Sequence, residues 1–374
     1  MPASVDLVMR NGLVVTALFL SIACVRSARP DLPPPLEVDE IAARIPAKVV
    51  DRPGWAADLG YALDTNRIPK DEEHVCAALA IVGQESGFQA NPVVPNLAAI
   101  ARQQIEEKAA PLGLLAKPVL NQVLSVKAKG AKLTFDQRLS AVRTEADLDR
   151  LYRDLIDEEV RRFPVAVVVA GELRERNPIT TAGSMQVSVD YSEQYAKRLR
   201  RDPDGVRDEL YTRQGGMLYG TARLFDGAQY DEPIYRFADY NAGHYASRNA
   251  AFQEQLAAVT GTKLALDGDL LAYKPYSEDT ETMRALSKLG PQYVRDARNE
   301  KSDAFERTAA WRAVKDAWRK KYGKEPPYAR LPEVTLKSPK LSRELSTAWF
   351  ARSVQKRYDA CVTPKRETVG ARTR

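Results

Sequence analysis

Apolar residues recur at helical spacing along most of the chain from about residue 37 onward. Ile41 and Ile45, then Trp55, Leu59 and Leu63, then Val75, Leu79 and Val82 keep one face apolar over successive turns. The pattern returns around 206–226, 245–258, 304–321 and 342–357, so the expected fold class is mainly α. Pro92 and Pro95, Pro111 and Gly113, Pro178, Pro203 and Pro233 punctuate these stretches and mark the connections. The β-branched run 164–170 fits either a buried strand or the end of a helix. No internal repeat is visible.

The beginning of the chain follows another pattern. Arg10 and Asn11 precede an apolar run, 13–23, that ends at Cys24. Spanning a bilayer takes about 20 residues, so this run fits the apolar core of a secretory signal instead. Asp6 is out of place in a basic leader, which points to Met9 as the start of translation. Leu20-Ser21-Ile22-Ala23-Cys24 resembles a bacterial lipobox, where cleavage precedes a cysteine that then receives lipid; the alternative is a plain secretory signal. Val25, not Asp, follows the cysteine, so the expected location is the outer membrane, periplasmic-facing or surface-exposed. The expected organisation is a signal peptide 1–23, a lipidated Cys24 with a Pro-rich tether 24–40, a helical domain 41–362 and a disordered basic tail 363–374. The prolines at 30 and 33–35 make the tether extended and stiff.

Composition narrows the chemistry. The chain has 374 residues, 44% hydrophobic and 28% charged, which is ample for a folded core. A net charge of +6 is too mild to suggest nucleic acid as a partner. Two histidines and three scattered cysteines give no metal-ligand spacing, and no Gly-rich phosphate loop is present, so no metal or cofactor is expected. With Cys24 assigned to lipid, Cys76 and Cys361 are either a disulfide closing a very long loop or two buried free thiols.

The stretch 77–88 carries the strongest chemical signal. Its apolar run ends in Gln84-Glu85-Ser86, and Gly87 follows where a helix can terminate. Glu85 lies four positions after Ile81 and seven after Ala78, hence on the apolar face. Lost hydration there favours the neutral carboxyl, as a general acid working near neutral pH requires. Read alone, a glutamate at a helix end is usually a solvated side chain or a structural hydrogen-bonder. Two later segments add weight: Gly183-Ser184-Met185-Gln186 after a Thr-rich turn, and Asp239-Tyr240-Asn241-Ala242-Gly243 at the end of a helical stretch.

In that order, Glu-Ser-x-Phe, Gly-x-Met-Gln and Tyr-Asn-Ala-Gly resemble the three signatures of lytic transglycosylases with the goose-type lysozyme fold. The resemblance implies a lysozyme-like helical domain that acts on peptidoglycan glycan strands with Glu85 as its single catalytic acid/base. It further implies that Ser86, Met185 and Gln186 shape the site or contact sugar, that Tyr240 hydrogen-bonds the catalytic carboxyl, and that Asn241 contacts an acetamido group. In that scheme Glu85 protonates the glycosidic oxygen, then deprotonates the muramic C6 hydroxyl, which closes a 1,6-anhydro ring. Arg223 stands where the family's intervening Gly-x-x-Tyr-Leu segment has tyrosine. Asp239 is a further carboxyl beside Tyr240, read here as surface polar. From Glu85 to Gly183 is 98 residues, against a short loop in the family, so a large helical insertion is expected at about 97–179.

A second resemblance covers nearly the whole chain. The runs 233–243, 245–253, 263–270 and 347–351 are similar to the YaiW family, outer-membrane lipoproteins classed under a domain of unknown function. That family has cysteines where Cys76 and Cys361 fall. The expected function is therefore an outer-membrane lipoprotein that cleaves or binds glycan strands of peptidoglycan. The alternatives are a non-catalytic lipoprotein that binds glycan or peptide, and an envelope scaffold or uptake factor whose protein partners the sequence leaves open.

Overall fold

The computed structural model describes residues 34–162, 177–273, 275–336 and 344–362. The signal peptide, Cys24 and most of the Pro-rich tether lie outside these residues, as do the ambiguous run 164–170 and the basic tail 363–374. The described chain is mainly helical. The first seven helices are α1 (Val38–Arg44), α2 (Arg52–Thr65), α3 (Glu72–Glu85), α4 (Leu97–Ala109), α5 (Ala116–Leu124), α6 (Phe135–Ala141) and α7 (Glu145–Arg162). A two-residue hairpin, β1 (Thr181–Ala182) with β2 (Val187–Ser188), separates them from α8 (Val189–Arg198), α9 (Val206–Leu210), α10 (Arg213–Phe225), α11 (Pro233–Ala242) and α12 (Ala246–Thr260). The remaining helices are α13 (Glu281–Leu289), α14 (Ala309–Tyr322) and α15 (Thr347–Val362). Among the described residues no helix is long and apolar enough to cross a membrane.

Local chemistry sets these boundaries. The Asp51 and Asp71 side chains accept from the Gly54 and His74 amides and so cap α2 and α3. A reciprocal box between Glu37 and Glu40 opens α1. Helix α1 begins at Val38, so the last residues of the expected tether belong to the helical domain. Helix α3 is buried continuously from Val75 to Val82 and ends at Glu85, capped by Ser86 and followed by Gly87 in the left-handed region at φ 58°. Helix α15 packs against α3 and α11, while α10 packs against α2.

Helices α4 to α7 occupy the expected insertion as far as Arg162. Their apolar residues Leu97, Phe135, Leu139 and Leu151 join the core that α1, α2, α3 and α10 build. A second core forms after α12 begins, around Phe252, Leu256, Leu286, Phe305 and Trp311. At its edge the fully buried Arg248 guanidinium donates to the Ser302 and Glu300 carbonyls and faces the Tyr245 ring at 4.1 Å. The 245–270 run thus carries structural polar groups: Asn249 donates to the Gly268 carbonyl, and Gln253 to Asp267.

Candidate active site

Glu85 is the last residue of α3, a helix buried from Val75 to Val82 in the first core. Part of its surface still meets solvent, yet protein packs around it closely enough that lost hydration dominates. Burial, and secondarily the charge of Glu145, raise its pKa to about 8. Among the described residues, no group donates a hydrogen bond to this carboxyl. Its neighbour Ser86 has turned away: its hydroxyl donates to the Val82 carbonyl at 3.1 Å and accepts from the Gln89 amide. Ser86 therefore serves the helix end.

The Gly183-Ser184-Met185-Gln186 segment is the loop of the β1–β2 hairpin. Gly183 takes φ 79°, and a Cβ there would collide with the Leu210 carbonyl oxygen. Helix α10 supplies the matching surface. A Cβ on Gly216 would stand 2.9 Å from the Ser184 amide nitrogen, and one on Gly220 2.6 Å from the Met185 Cβ. Met185 is 0% exposed, so it supports the loop from behind and does not contact a ligand. Gln186 is held at φ 50°, and its amide is fixed on both ends. Its Oε1 accepts from the Thr181 hydroxyl at 3.1 Å, and its Nε2 donates to Glu145 at 3.0 Å.

Tyr240 comes from α11. Its hydroxyl donates to the Met185 carbonyl at 2.8 Å, not to Glu85 as the family resemblance implied. The hydroxyl nonetheless feels Glu85: burial first, then the Glu85 charge, push its pKa upward. Beneath the ring lies Arg223, with its guanidinium 5.8 Å from the ring centre and donating to the Asp239 carbonyl at 3.0 Å. Burial lowers the pKa of Arg223. This cation fills the space under Tyr240 where the resemblance would put a tyrosine. The Asn241 side-chain oxygen Oδ1 accepts from the Thr347 hydroxyl at 2.7 Å. Asp239 is not surface polar: it is buried, accepts from the Tyr230 hydroxyl at 2.6 Å and the Ser247 amide at 2.6 Å, and closes the turn after α11. Desolvation raises its pKa.

The structure thus brings Glu85, Gln186 and Tyr240 into one neighbourhood, makes Ser86 and Met185 part of its frame, and ties the Asn241 side chain to Thr347 of α15. A residue of the insertion completes the group. Glu145, sixty positions after Glu85, opens α7 and is buried at 6% exposure between Gln186 and the Glu85 side of the site.

These features can be set beside known proteins. The model for the family described as "Protein of unknown function (DUF1615)" matches residues 48–364. The chain belongs to the DUF1615 family. It is 40% identical over 330 residues to "Uncharacterized protein YaiW" of Escherichia coli (strain K12), covering 86% of this chain and 88% of that protein. No solved structure matches.

Within this DUF1615 chain, sequence reading reached Glu85, Gln186, Tyr240 and Asn241 but missed Glu145. The one available signal was Thr144-Glu145-Ala146-Asp147, a helix-start pattern with a carboxyl at the first helical position. Nothing in spacing announces that this start meets Glu85. The Sγ atoms of Cys76 and Cys361 are 2.01 Å apart and bonded, joining α3 to α15. On the same face, the Ser353 hydroxyl donates to the Gln84 side-chain oxygen at 2.7 Å.

Proposed function

We propose that this protein is an outer-membrane lipoprotein, anchored through Cys24, whose lysozyme-like helical domain cleaves the glycan strands of peptidoglycan. The observation that carries this reading is Glu85. It is a carboxyl on an apolar helix end, with its pKa raised to about 8 and with no donor among the described residues. Such a carboxyl holds its proton at neutral pH and has it available for a glycosidic oxygen, which is the first demand of glycoside cleavage. Tyr240 lies close enough to feel its charge, Gln186 is tied to Glu145 beside it, and the reaction scheme calls on no metal.

The test is incubation of purified sacculi with the wild-type protein and with Glu85→Gln. Release of soluble muropeptides by the wild type and not by the variant is the expected result. Absence of release by both would overturn the reading. A second reading, glycan binding without turnover, draws on one observation: Tyr240 is engaged by the Met185 carbonyl instead of orienting Glu85. Equal sedimentation of both proteins with intact sacculi, without product, would favour it.

A further inference from the structure

We propose that Glu145, delivered by the insertion, is the second functional carboxylate of the Glu85 site: the base that takes a proton from an attacking water, so that strand cleavage is hydrolytic. This inference rests on the glycan-strand reading above and decides which acceptor that reaction uses.

The placement comes from backbone and side-chain stitching on both sides of the two carboxyls. Just after Glu85, the Val94 amide donates to the Arg143 carbonyl at 2.9 Å, Val93 and Thr144 form an antiparallel bridge, and Asn91 donates to the Thr144 hydroxyl at 3.2 Å. The chain that leaves Glu85 is therefore sewn to the chain that enters Glu145. Behind it, α7 is clamped through Asp149, fully buried, which accepts from Arg207 at 2.9 Å and Asn177 at 2.7 Å. Arg153 on the next turn reaches Asp208 at 2.7 Å. A side chain at a helix start anchored in this way, just before its first residue and again on the following turns, is preorganised in the sense a catalytic group requires.

The two carboxyls also have different surroundings. Glu145 accepts a hydrogen bond from Gln186 and sits at the first position of an eighteen-residue helix, whose N-terminal end favours negative charge. Glu85 has lost hydration and faces that negative charge. Among the described residues, the ionisable groups near the pair include the Tyr240 phenol from α11, with Arg223 of α10 beneath it, on the Glu85 side, and the Tyr211 phenol on the Glu145 side. Two carboxyls at a single site, one stripped of hydration and the other hydrogen-bonded at a helix start, is the arrangement that acid–base glycoside hydrolysis uses.

The step balances without any further reagent. Glu85 gives its proton to the glycosidic oxygen, and the C1–O bond breaks with its electron pair going to that oxygen. Glu145 takes a proton from water as the water oxygen bonds to C1. The proton on Glu145 returns through solvent to Glu85. The net change is addition of one water across the bond, with a reducing muramic end in place of a 1,6-anhydro ring.

Two measurements on the full mature chain test this. In carbon-13 NMR of labelled glutamate carboxyls, with the Glu85 signal assigned by its loss in Glu85→Gln, the Glu85 titration midpoint should fall in Glu145→Gln. An unchanged midpoint would overturn the shared site. On sacculi, Glu145→Gln should lose about 100-fold or more in turnover. Azide should restore part of it and yield a glycosyl azide, while Glu145→Asp, which keeps the charge, should retain more activity than Gln. Variants that melt with the wild type exclude unfolding as the cause. Release of 1,6-anhydro ends by the wild type, or full activity in Glu145→Gln, would overturn the role of Glu145 and leave the glycan reading intact. No release by the wild type would overturn the glycan reading itself.

Discussion

At the scale of single residues, Glu85 links the site to the stability of the fold. Its ordinary pKa of 4.5 rises to about 8 on folding. Below 4.5 the carboxyl is protonated in both folded and unfolded chains, so its burial carries no charge penalty. Between 4.5 and 8 the folded chain binds the proton more tightly than the unfolded one. Stability therefore falls as pH rises through that window, and the contribution is lost once pH passes the folded value. Glu85→Gln removes this dependence. The variant should match the wild type in melting temperature at pH 4 and exceed it by a few degrees at pH 8, read by calorimetry. An advantage of equal size at both pH values would contradict the assignment. Glycan cleavage, which needs the protonated form, should in turn fall off above about pH 8. Glu85 was legible in the sequence because a carboxyl on an apolar helical stripe is a local contradiction. Glu145 was not legible: its sequence surroundings are those of an ordinary helix start, and only the chain's return across the insertion brings it to Glu85.

At the scale of elements, the site depends on how the hairpin loop sits on α10. Gly183, Gly216 and Gly220 let the two backbones approach until neither surface has room for a Cβ. Gly183→Ala is the sharpest probe, because the left-handed backbone and the clash with the Leu210 carbonyl act together. It should cost about 2–4 kcal/mol in urea unfolding and shift the Tyr240–Met185 contact with it. A loss under about 1 kcal/mol would show that the loop can move away from the end of α9 and from α10 at little cost. Helices α1 to α3, and those around 206–225, 246–260, 309–322 and 347–362, were legible from their apolar periodicity, since each must bury one stripe; the short α8 and α13 were not. The hairpin was not: its strands are two residues long, too short for alternation to register. The hydroxyl partner of Tyr240 was also out of reach, because the acceptor over it belongs to a loop 55 residues away.

At the scale of the whole molecule, one covalent link ties the start of the helical domain to its end. Cys76 and Cys361 are separated by 285 positions, so their bond closes nearly the entire domain into a loop. In the chain-entropy view, the constraint on the unfolded chain grows with the logarithm of that length and is worth about 6 kcal/mol at most here. The bond also has a local effect, since Cys76 lies on the helix that ends at Glu85 and Cys361 on the helix packed against it. Replacing both cysteines with alanine should therefore do two separable things. The guanidinium midpoint should drop by an amount corresponding to roughly 2–5 kcal/mol. Amide exchange should quicken along α3 and α15, while the second core around Phe252 and Trp311, which shares neither helix, should exchange as before. Uniform quickening in both cores would mean that the link acts only through the unfolded chain. Quickening confined to α3 and α15 would make the bond a brace for the helix that carries the acid, and glycan cleavage should then decline together with protection at Val82 and Glu85.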